Sequence, residues 1–367
     1  SKHIKNEGYY LNPVDLRRGG QVVYLWCLFK SVIPGPPRQT GKYSREEREG
    51  MIRYIAKRIL MMIPVLLGVI LVVFIMNHIS DGDPARMLAG ESASEEAVEA
   101  IREELGLNDP LPVQFFNYVK GIVTEFDLGT SYQTKRPVID ELMDRFPTTA
   151  TLAFLCMIIS AVVGIGLGII SAVKQNTLID HLSTGLALFG VSMPAFWAGL
   201  MLILLFSIYL GWLPVQGLDD GWVSWVLPTI TSSMAGMATI TRMTRSSMLE
   251  VICQDYIVTA RAKGLSERVI IIKHALKNAL IPIITVLGIQ LGIMLGGAVL
   301  TETVFSIPGL GKYMVDSIKN RDYPVVQGGV LLLALVFSLV NLLVDIIYAY
   351  VDPRIKSQYS RSRRHVS

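Results

Sequence analysis

The sequence predicts an all-α, polytopic membrane protein with six transmembrane helices and both termini in the cytosol. Hydrophobic residues make up 51% of its 367 residues and charged residues only 17%, whereas soluble domains carry about a quarter charged residues. Mean hydropathy is correspondingly positive, at +0.45. Six apolar runs approach or exceed the roughly 20 residues that a spanning helix needs. The basic residues collect in segments that six crossings would leave on one side.

The six apolar runs define the predicted spans and the loops between them. We place the spans at residues 59–79, 150–173, 184–210, 223–240, 280–301 and 325–351. Arg53, Lys57 and Arg58 precede the first span. By the positive-inside rule, the segment before this span therefore lies in the cytosol. The basic segment 242–279 then faces the cytosol, and the acidic segment 81–147 faces the outside.

Composition divides the chain into three parts. Residues 1–50 are polar, basic and interrupted by prolines, which predicts a cytosolic N-terminal extension. The apolar run at 21–33 within it is too short to cross a bilayer. Residues 51–356 form the predicted transmembrane domain, and residues 357–367 form a basic C-terminal tail. The predicted location is the cell membrane, with several passes through the lipid.

The long outer segment contains one predicted amphipathic helix. Its apolar residues recur at helical spacing at Val98, Ile101 and Leu105. Ser94 is placed to cap the start of this helix, and Gly106 is placed to end it. We expect the surrounding acidic side chains to face solvent; a cation-binding role is the alternative.

Glycines recur every four residues in two predicted spans. Gly288, Gly292 and Gly296 share one face of the fifth span, and Gly164 and Gly168 share one face of the second. Small side chains let helix backbones approach closely in lipid. We expect both faces to pack against other helices, and the alternative is that some of these glycines line a pore.

Several functional classes lack their sequence signatures. Asp345, near the end of the sixth span, is best explained as an interfacial residue, so no proton relay is evident. Cys27, Cys156 and Cys253 have no close spacing and predict no metal site. The stretch 309–312 lacks the spacing of a phosphate loop. No catalytic, cofactor or metal site and no nucleic-acid partner are expected, and any ATP must be hydrolysed by another chain.

The polar, basic segment 255–282 separates the fourth and fifth spans. Residues 256–263 are compatible with a short helix, and Gly264 can adopt the left-handed conformation that ends it. Ser266 can then cap a second helix. This pattern predicts a compact elbow at the membrane surface, and a plain connector that obeys the positive-inside rule is the alternative.

The elbow is a natural contact for another protein. We expect Tyr256, Ile257 and Ala260 to enter a groove of that partner. Three basic residues would meet acidic groups at the rim of the groove: Arg261, Lys263 and Arg268.

The residues of the elbow resemble a known family. Asp255-Tyr-Ile-Val-Thr-Ala-Arg-Ala-Lys-Gly-Leu265 is similar to the cytoplasmic coupling loop, called the EAA loop, of ABC importer permeases of the dipeptide/oligopeptide/nickel family. The resemblance covers about residues 51–356. Further similar stretches are Asp83-Pro84, Asp127-Leu-Gly-Thr-Ser131, Ser192-Met-Pro-Ala-Phe-Trp197, Glu302-Thr-Val-Phe-Ser-Ile-Pro-Gly-Leu-Gly311, Arg321-Asp-Tyr-Pro324 and Asp352-Pro-Arg354. It implies the type I ABC importer permease fold.

The resemblance also implies which residues couple to an ATPase. They are Asp255, Tyr256, Thr259, Ala260, Arg261, Ala262, Lys263 and Gly264. The general pattern begins Glu-Ala-Ala, whereas Val258 and Thr259 stand at its first two positions here, and Lys277 replaces a later proline. These replacements resemble those of the B-type peptide permeases. They remove the basis for any salt bridge attributed to the missing glutamate.

The implied function is that of a permease subunit forming half of a translocation pathway for di- or oligopeptides. The implied partners are a second homologous permease, two ATP-binding subunits that hold ATP and magnesium, an extracytoplasmic substrate-binding protein and membrane lipids. Relatives of this type also carry nickel complexes or glutathione, so the substrate stays open. A secondary transporter or channel that works without ATPase partners is the alternative.

Overall fold

The structure, a computed structural model, describes residues 45–79, 83–90 and 92–351. The predictions for residues 1–44 and for the tail 357–367 lie outside the described residues. Within the described ranges the chain is helical, and its only β-type pairing is an isolated antiparallel bridge between Thr130 and Pro137. The all-α prediction is therefore confirmed for this part of the chain.

The helices are numbered in chain order. They are α1 Arg45–Ile79, α2 Pro84–Ala89, α3 Glu95–Glu104, α4 Leu111–Glu125, α5 Val138–Val173, α6 Leu178–Ser192 and α7 Ala195–Leu202. They continue with α8 Val226–Ile252, α9 Asp255–Ala262, α10 Glu267–Val269, α11 Leu276–Gly297, α12 Val299–Val304, α13 Leu310–Lys319 and α14 Tyr323–Val351. Shorter pieces are a 3₁₀ turn at Gly221–Trp225 and π-helical segments at Ile203–Tyr209 and Ile270–Ala275.

Four described segments are long and apolar enough to cross a membrane. They are Ile55–Ile79, Val138–Val173, Glu267–Gly296 and Tyr323–Ile347. The predicted third span is broken, because Leu178–Ser192 and Ala195–Tyr209 meet at a bend of 103°. If this bent pair is one span, the count is five. Six spans therefore remain a prediction.

Helix α8, the predicted fourth span, is the exception to the apolar pattern. It is 27 residues long, which corresponds to roughly 40 Å of helix, yet it falls short of the apolarity of the other spans. The reason is its central position, because α8 packs against α5, α6, α7 and α11. Its buried side chains include many small hydroxyl residues, which suit close helix packing better than contact with lipid.

Glycines on α5 allow its close approach to α8. A Cβ on Gly164 would lie 2.9 Å from Ile240 Cβ, and one on Gly168 would lie 2.5 Å from Thr244 Cβ. Ser160 Oγ also donates a hydrogen bond to the Ser233 carbonyl oxygen at 3.0 Å. No larger side chain fits at the two glycines without moving α8.

The three glycines of α11 have different surroundings. A Cβ on Gly288 would lie 1.9 Å from Val344 Cγ2, and one on Gly292 would lie 2.9 Å from the ring of Phe337. Both glycines are thus at the contact between α11 and α14. Gly296 is exposed, and a Cβ there would meet nothing within 4 Å. The described residues provide no packing partner for Gly296. Its predicted role in helix packing therefore stays a prediction.

Replacing Gly288 with valine is expected to destabilise the protein. The new side chain would collide with Val344, and overpacking of this kind costs about 1–3 kcal/mol. Thermal unfolding in detergent would measure the loss. Gly296→Val is the matched control, because it adds the same side chain to the same helix in open space; equal destabilisation by both variants would contradict the packing account.

An ion pair joins α1 to the C-terminal part of α14. Arg58 Nη1 lies 3.1 Å from Asp345 Oδ2. A carboxylate paired with the first residues of the first apolar span fits an interfacial position better than a proton relay. This agrees with the sequence interpretation of Asp345.

The predicted helix of the outer segment is present. Ser94 Oγ accepts a hydrogen bond from the Ala97 N–H at the start of α3, and Gly106 follows the helix with φ +65°. Val98 is fully buried, whereas Leu105 is exposed. The cap and the stop are confirmed, because both depend only on local backbone chemistry.

Candidate functional site

Helix α9 and the bend after it form the predicted elbow. The helix runs over Asp255–Ala262, one residue earlier than the sequence predicted. Gly264 then has φ +78°, which confirms the predicted left-handed conformation. Ser266 stands at the start of α10 with extended backbone, but its side chain makes no capping hydrogen bond.

An ion pair spans the bend. Arg261 Nε and Nη2 lie 2.7 Å and 3.3 Å from the two carboxylate oxygens of Glu267. Arg261 therefore has a partner within its own chain. Lys263 and Arg268 are exposed and form no ion pair among the described residues, so they remain the cations expected to meet a partner's acidic groups.

One face of α9 points into this chain. Ile257 is 0% exposed and Ala260 is buried, and both pack into a cluster with Ile252, Ile270 and Ala275. The expectation that Ile257 and Ala260 enter a partner's groove is therefore wrong. Apolar residues three apart fall on one helix face, and here that face packs on the bundle.

The opposite face of α9 is open. Its exposed residues are Asp255, Val258, Thr259 and Ala262, and Lys263, directly after the helix, is exposed as well. Val258 is 52% exposed, although the sequence interpretation noted it only as a departure from the general pattern. Tyr256 is half-buried, and its hydroxyl oxygen accepts a hydrogen bond from Asn278 Nδ2 at 2.7 Å. Of the eight predicted coupling residues, all but Ala260 are at least partly accessible to a partner.

A buried ion pair ties α6 to α8 about two turns before α8 ends. Arg245 Nε and Nη2 each lie 2.8 Å from one oxygen of Asp180. The Asp180 carboxylate is buried and also accepts hydrogen bonds from Ser171 Oγ of α5 and from the Asn176 N–H at 2.9 Å. Three helices therefore meet at one carboxylate, close to the point where α8 leads into α9.

Sequence reasoning missed this ion pair. Arg245 was interpreted only as one of the positive charges that set topology, and Asp180 lies in a loop-to-helix junction without a motif. The pairing joins residues 65 positions apart, and no local spacing rule indicates it.

At the end of α11 away from the elbow, two of the stretches that resemble the permease family lie in contact, 127–131 and 321–324. Asp322 is buried and accepts hydrogen bonds from Ser131 Oγ, from the Tyr132 N–H at 3.0 Å and from the Gln133 N–H at 3.3 Å. One carboxylate thus fixes the loop before α5 against the start of α14. Burial raises the pKa of Tyr132 to about 12, so its phenol stays neutral.

Glu302 organises the glycine-rich stretch beside that loop. Its buried carboxylate accepts hydrogen bonds from Thr149 Oγ1 at 2.6 Å and from the Lys312 N–H at 2.9 Å. A Cβ on Gly309 would lie 2.3 Å from Glu302 Cδ. The glycines therefore make room for a carboxylate of the same chain, and burial raises the pKa of Glu302. This agrees with the rejection of a phosphate loop.

Glu302→Gln is expected to lower the free energy of unfolding by about 1–3 kcal/mol, because a buried hydrogen bond loses its partner. The amide nitrogen cannot accept a hydrogen bond, so either the Thr149 hydroxyl proton or the Lys312 N–H loses its acceptor on residue 302. Thermal unfolding would measure the change. Glu125→Gln, at the exposed last residue of α4, should have little effect, and an equally small change at Glu302 would contradict its structural role.

No group of three or more metal-binding side chains occurs within residues 45–79, 83–90 and 92–351. The arrangement offers instead an exposed, internally braced helix at one end of the bundle and a hydrogen-bonded loop cluster at the other.

Comparison with known proteins shows which family this chain resembles. Residues 164–357 match the family described as "Binding-protein-dependent transport system inner membrane component", and residues 51–153 match its N-terminal counterpart. The description, together with several apolar helices, makes the chain a multi-pass protein of the plasma membrane.

Relatives cover most of the chain. The dipeptide transport system permease protein DppB of Alkalihalophilus pseudofirmus is 46% identical in an alignment of 333 residues that covers 83% of this chain and 100% of the relative. The glutathione transport system permease protein GsiC of Escherichia coli O6:H1 is 45% identical over 306 residues, covering 83% and 99%. The inward-facing MetNI methionine ABC transporter has the same fold, with a TM-score of 0.50 at 20% identity, covering 58% of this chain and 97% of the MetNI chain. The chain therefore belongs to the inner-membrane permease family of binding-protein-dependent ABC importers, in its B-type peptide permease branch.

Proposed function

We propose that this chain is the permease subunit of an ATP-driven importer of di- or oligopeptides, and that α9 couples it to separate ATPase subunits. The observation that carries the proposal is that α9 has one buried face and one exposed face. One face is locked into the bundle by Ile257 and Ala260, and the other is exposed. A helix held in this way moves as one body with the spans that it joins.

The coupling proposal assigns a role to each part of the elbow. Thr259 and Ala262 on the open face would enter the groove of the ATPase. Lys263 and Arg268 would meet acidic groups at its rim. Gly264 and the Arg261–Glu267 pair hold the bend. When the ATPase subunits close on ATP, the elbow is carried with them, and the inner gate shuts while the outer gate opens. A contact that differs between two states is what lets ATP shift the equilibrium.

The proposed topology has six spans, with α8 as the fourth and both termini in the cytosol. It is supported by the basic residues near α9 and before α1. The central packing of α8 explains why a spanning helix is less apolar than its neighbours. Residues 51–356 form the transmembrane domain in this proposal, with 1–50 and 357–367 as cytosolic additions.

The proposed assembly contains a second homologous permease, two ATP-binding subunits and an extracytoplasmic substrate-binding protein. ATP and magnesium are bound by the ATPase subunits. The loop cluster around Asp322 and Glu302 and the acidic segment 81–147 form part of the surface on which the binding protein docks. Relatives named for dipeptide and glutathione transport support a short peptide as the substrate.

Reconstitution tests this proposal against a self-sufficient carrier or channel. The chain, its permease partner and the ATPase subunits would be placed in vesicles with the binding protein and a labelled dipeptide. We expect uptake that requires ATP and stops when ATP alone is removed. Uptake driven by a proton or sodium gradient without ATP would contradict the proposal, and glutathione as competitor would show whether the substrate class extends beyond dipeptides.

A further inference from the structure

We propose that a groove between α9 and the start of α11 binds the phosphate of an anionic phospholipid headgroup. The groove is lined by Tyr256, Lys273, His274, Lys277 and Asn278. Both lysines are exposed, and neither forms an ion pair with a carboxylate in the part of the chain that the structure describes. No acidic side chain lines the groove, so its charge is positive throughout and suits an anion.

The position of the lysines along the span matches the depth of lipid headgroups. They belong to the candidate span Glu267–Gly296, in which residues 278–296 carry no charged side chain. Lys277 is thus the last charge before the apolar stretch, and Lys273 lies one turn earlier. Lysine stems lie along apolar surface while the ammonium group reaches the phosphate level.

The neighbours of the lysines favour a lipid over a soluble anion. Val269 is 38% exposed and Ile272 is 55% exposed, and Ile272 adjoins Lys273 in the chain. An exposed mixture of apolar and basic side chains suits the boundary between headgroups and acyl chains. A free phosphate would use the cations but leave both apolar side chains in water.

The groove is also shaped by fixed polar contacts. Asn278 Nδ2 donates to the Tyr256 hydroxyl oxygen at 2.7 Å and to the His274 carbonyl oxygen at 3.1 Å. The first of these bonds joins α9 to the start of α11, and the second holds the Asn278 side chain against its own helix. A headgroup held there would therefore contact the coupling helix itself and tie its position to the membrane surface. The inference rests on the proposed orientation, in which this end of the bundle faces the cytosol.

The lipid-binding measurement uses the full chain without ATPase subunits, so its outcome does not depend on the coupling proposal; ATPase subunits enter only in a separate amine-labelling experiment. The chain would be placed in phosphatidylcholine nanodiscs containing a minor fraction of phosphatidylglycerol, and native mass spectrometry would count the phosphatidylglycerol that stays bound. We expect the double variant Lys273→Gln, Lys277→Gln to bind about 25-fold more weakly, at roughly fivefold for each lysine. The matched control removes two exposed lysines at the same end of the bundle, Lys57→Gln with Lys174→Gln, and should bind like the unmodified chain.

Three results would overturn the proposal. Equal loss in the control pair would show general attraction to anionic lipid rather than a site. Displacement of the lipid by inorganic phosphate alone, at concentrations that leave the control unchanged, would assign the groove to a soluble anion. Protection of Lys273 and Lys277 from amine labelling only after ATPase subunits are added, and not by phosphatidylglycerol, would assign it to a protein partner.

Discussion

Asp180→Ala is expected to lower the free energy of unfolding by about 3 kcal/mol, the low end of the range for breaking a buried ion pair, because Arg245 is partly accessible. The substitution removes the acceptor for both Arg245 nitrogens, which lie at 2.8 Å, and for Ser171 Oγ and the Asn176 N–H. An uncompensated charge and two unsatisfied donors would remain between α5, α6 and α8. Reversible unfolding in mixed micelles would measure the loss.

A double variant separates charge imbalance from lost packing. Asp180→Leu combined with Arg245→Met removes both charges, and replacing a buried pair by apolar side chains is often close to neutral. We therefore expect the double variant to recover most of the stability. Asp220→Ala, at an exposed residue whose side chain makes no capping hydrogen bond, controls for loss of a carboxylate. A double variant less stable than Asp180→Ala would contradict the charge explanation.

Gly264→Val is expected to reduce ATP-driven uptake by roughly tenfold while the protein still inserts and the ATPase subunits still hydrolyse ATP. At φ +78°, a β-branched residue is strained by about 1–3 kcal/mol. The space around Gly264 is open, with nothing within 4 Å of a Cβ, so the strain lies in the backbone alone. The bend would relax and α9 would lose its fixed direction.

Two further variants sharpen this prediction. Gly264→Asn should retain most uptake, because asparagine tolerates the left-handed region. Gly211→Val imposes similar strain at φ +63° with open space around it, away from α9, and should leave the ratio of uptake to ATP hydrolysis unchanged. Normal uptake by Gly264→Val, measured beside its ATPase rate in vesicles, would refute the role of the bend.

Features that depend on neighbouring residues were predictable from the sequence. The cap at Ser94, the stop at Gly106 and the left-handed bend at Gly264 all follow from the backbone preferences of single residue types, and all are present. The family and its coupling loop were recognisable for a related reason, because the residues that carry them are contiguous.

Features that depend on distant residues were not predictable. Nothing near Ile257 in the sequence tells whether its helix face packs on a partner or on its own bundle. The pairs Asp180–Arg245 and Ser131–Asp322 join separate segments, the latter 191 positions apart. The apolar pattern likewise placed a span at α8 without showing that this helix is the centre of the bundle.

The central claim is that the open face of α9 contacts an ATPase subunit, and photo-crosslinking tests it most directly. A photoreactive residue would replace Thr259 on the open face, and, as the control, Lys120 on the exposed surface of α4. In membranes containing the whole transporter, the account predicts that Thr259 crosslinks to the ATPase subunit, with a yield that changes between nucleotide-free and ATP-bound states, and that Lys120 does not. Failure of Thr259 to crosslink in either state, with the assembly intact, would contradict it.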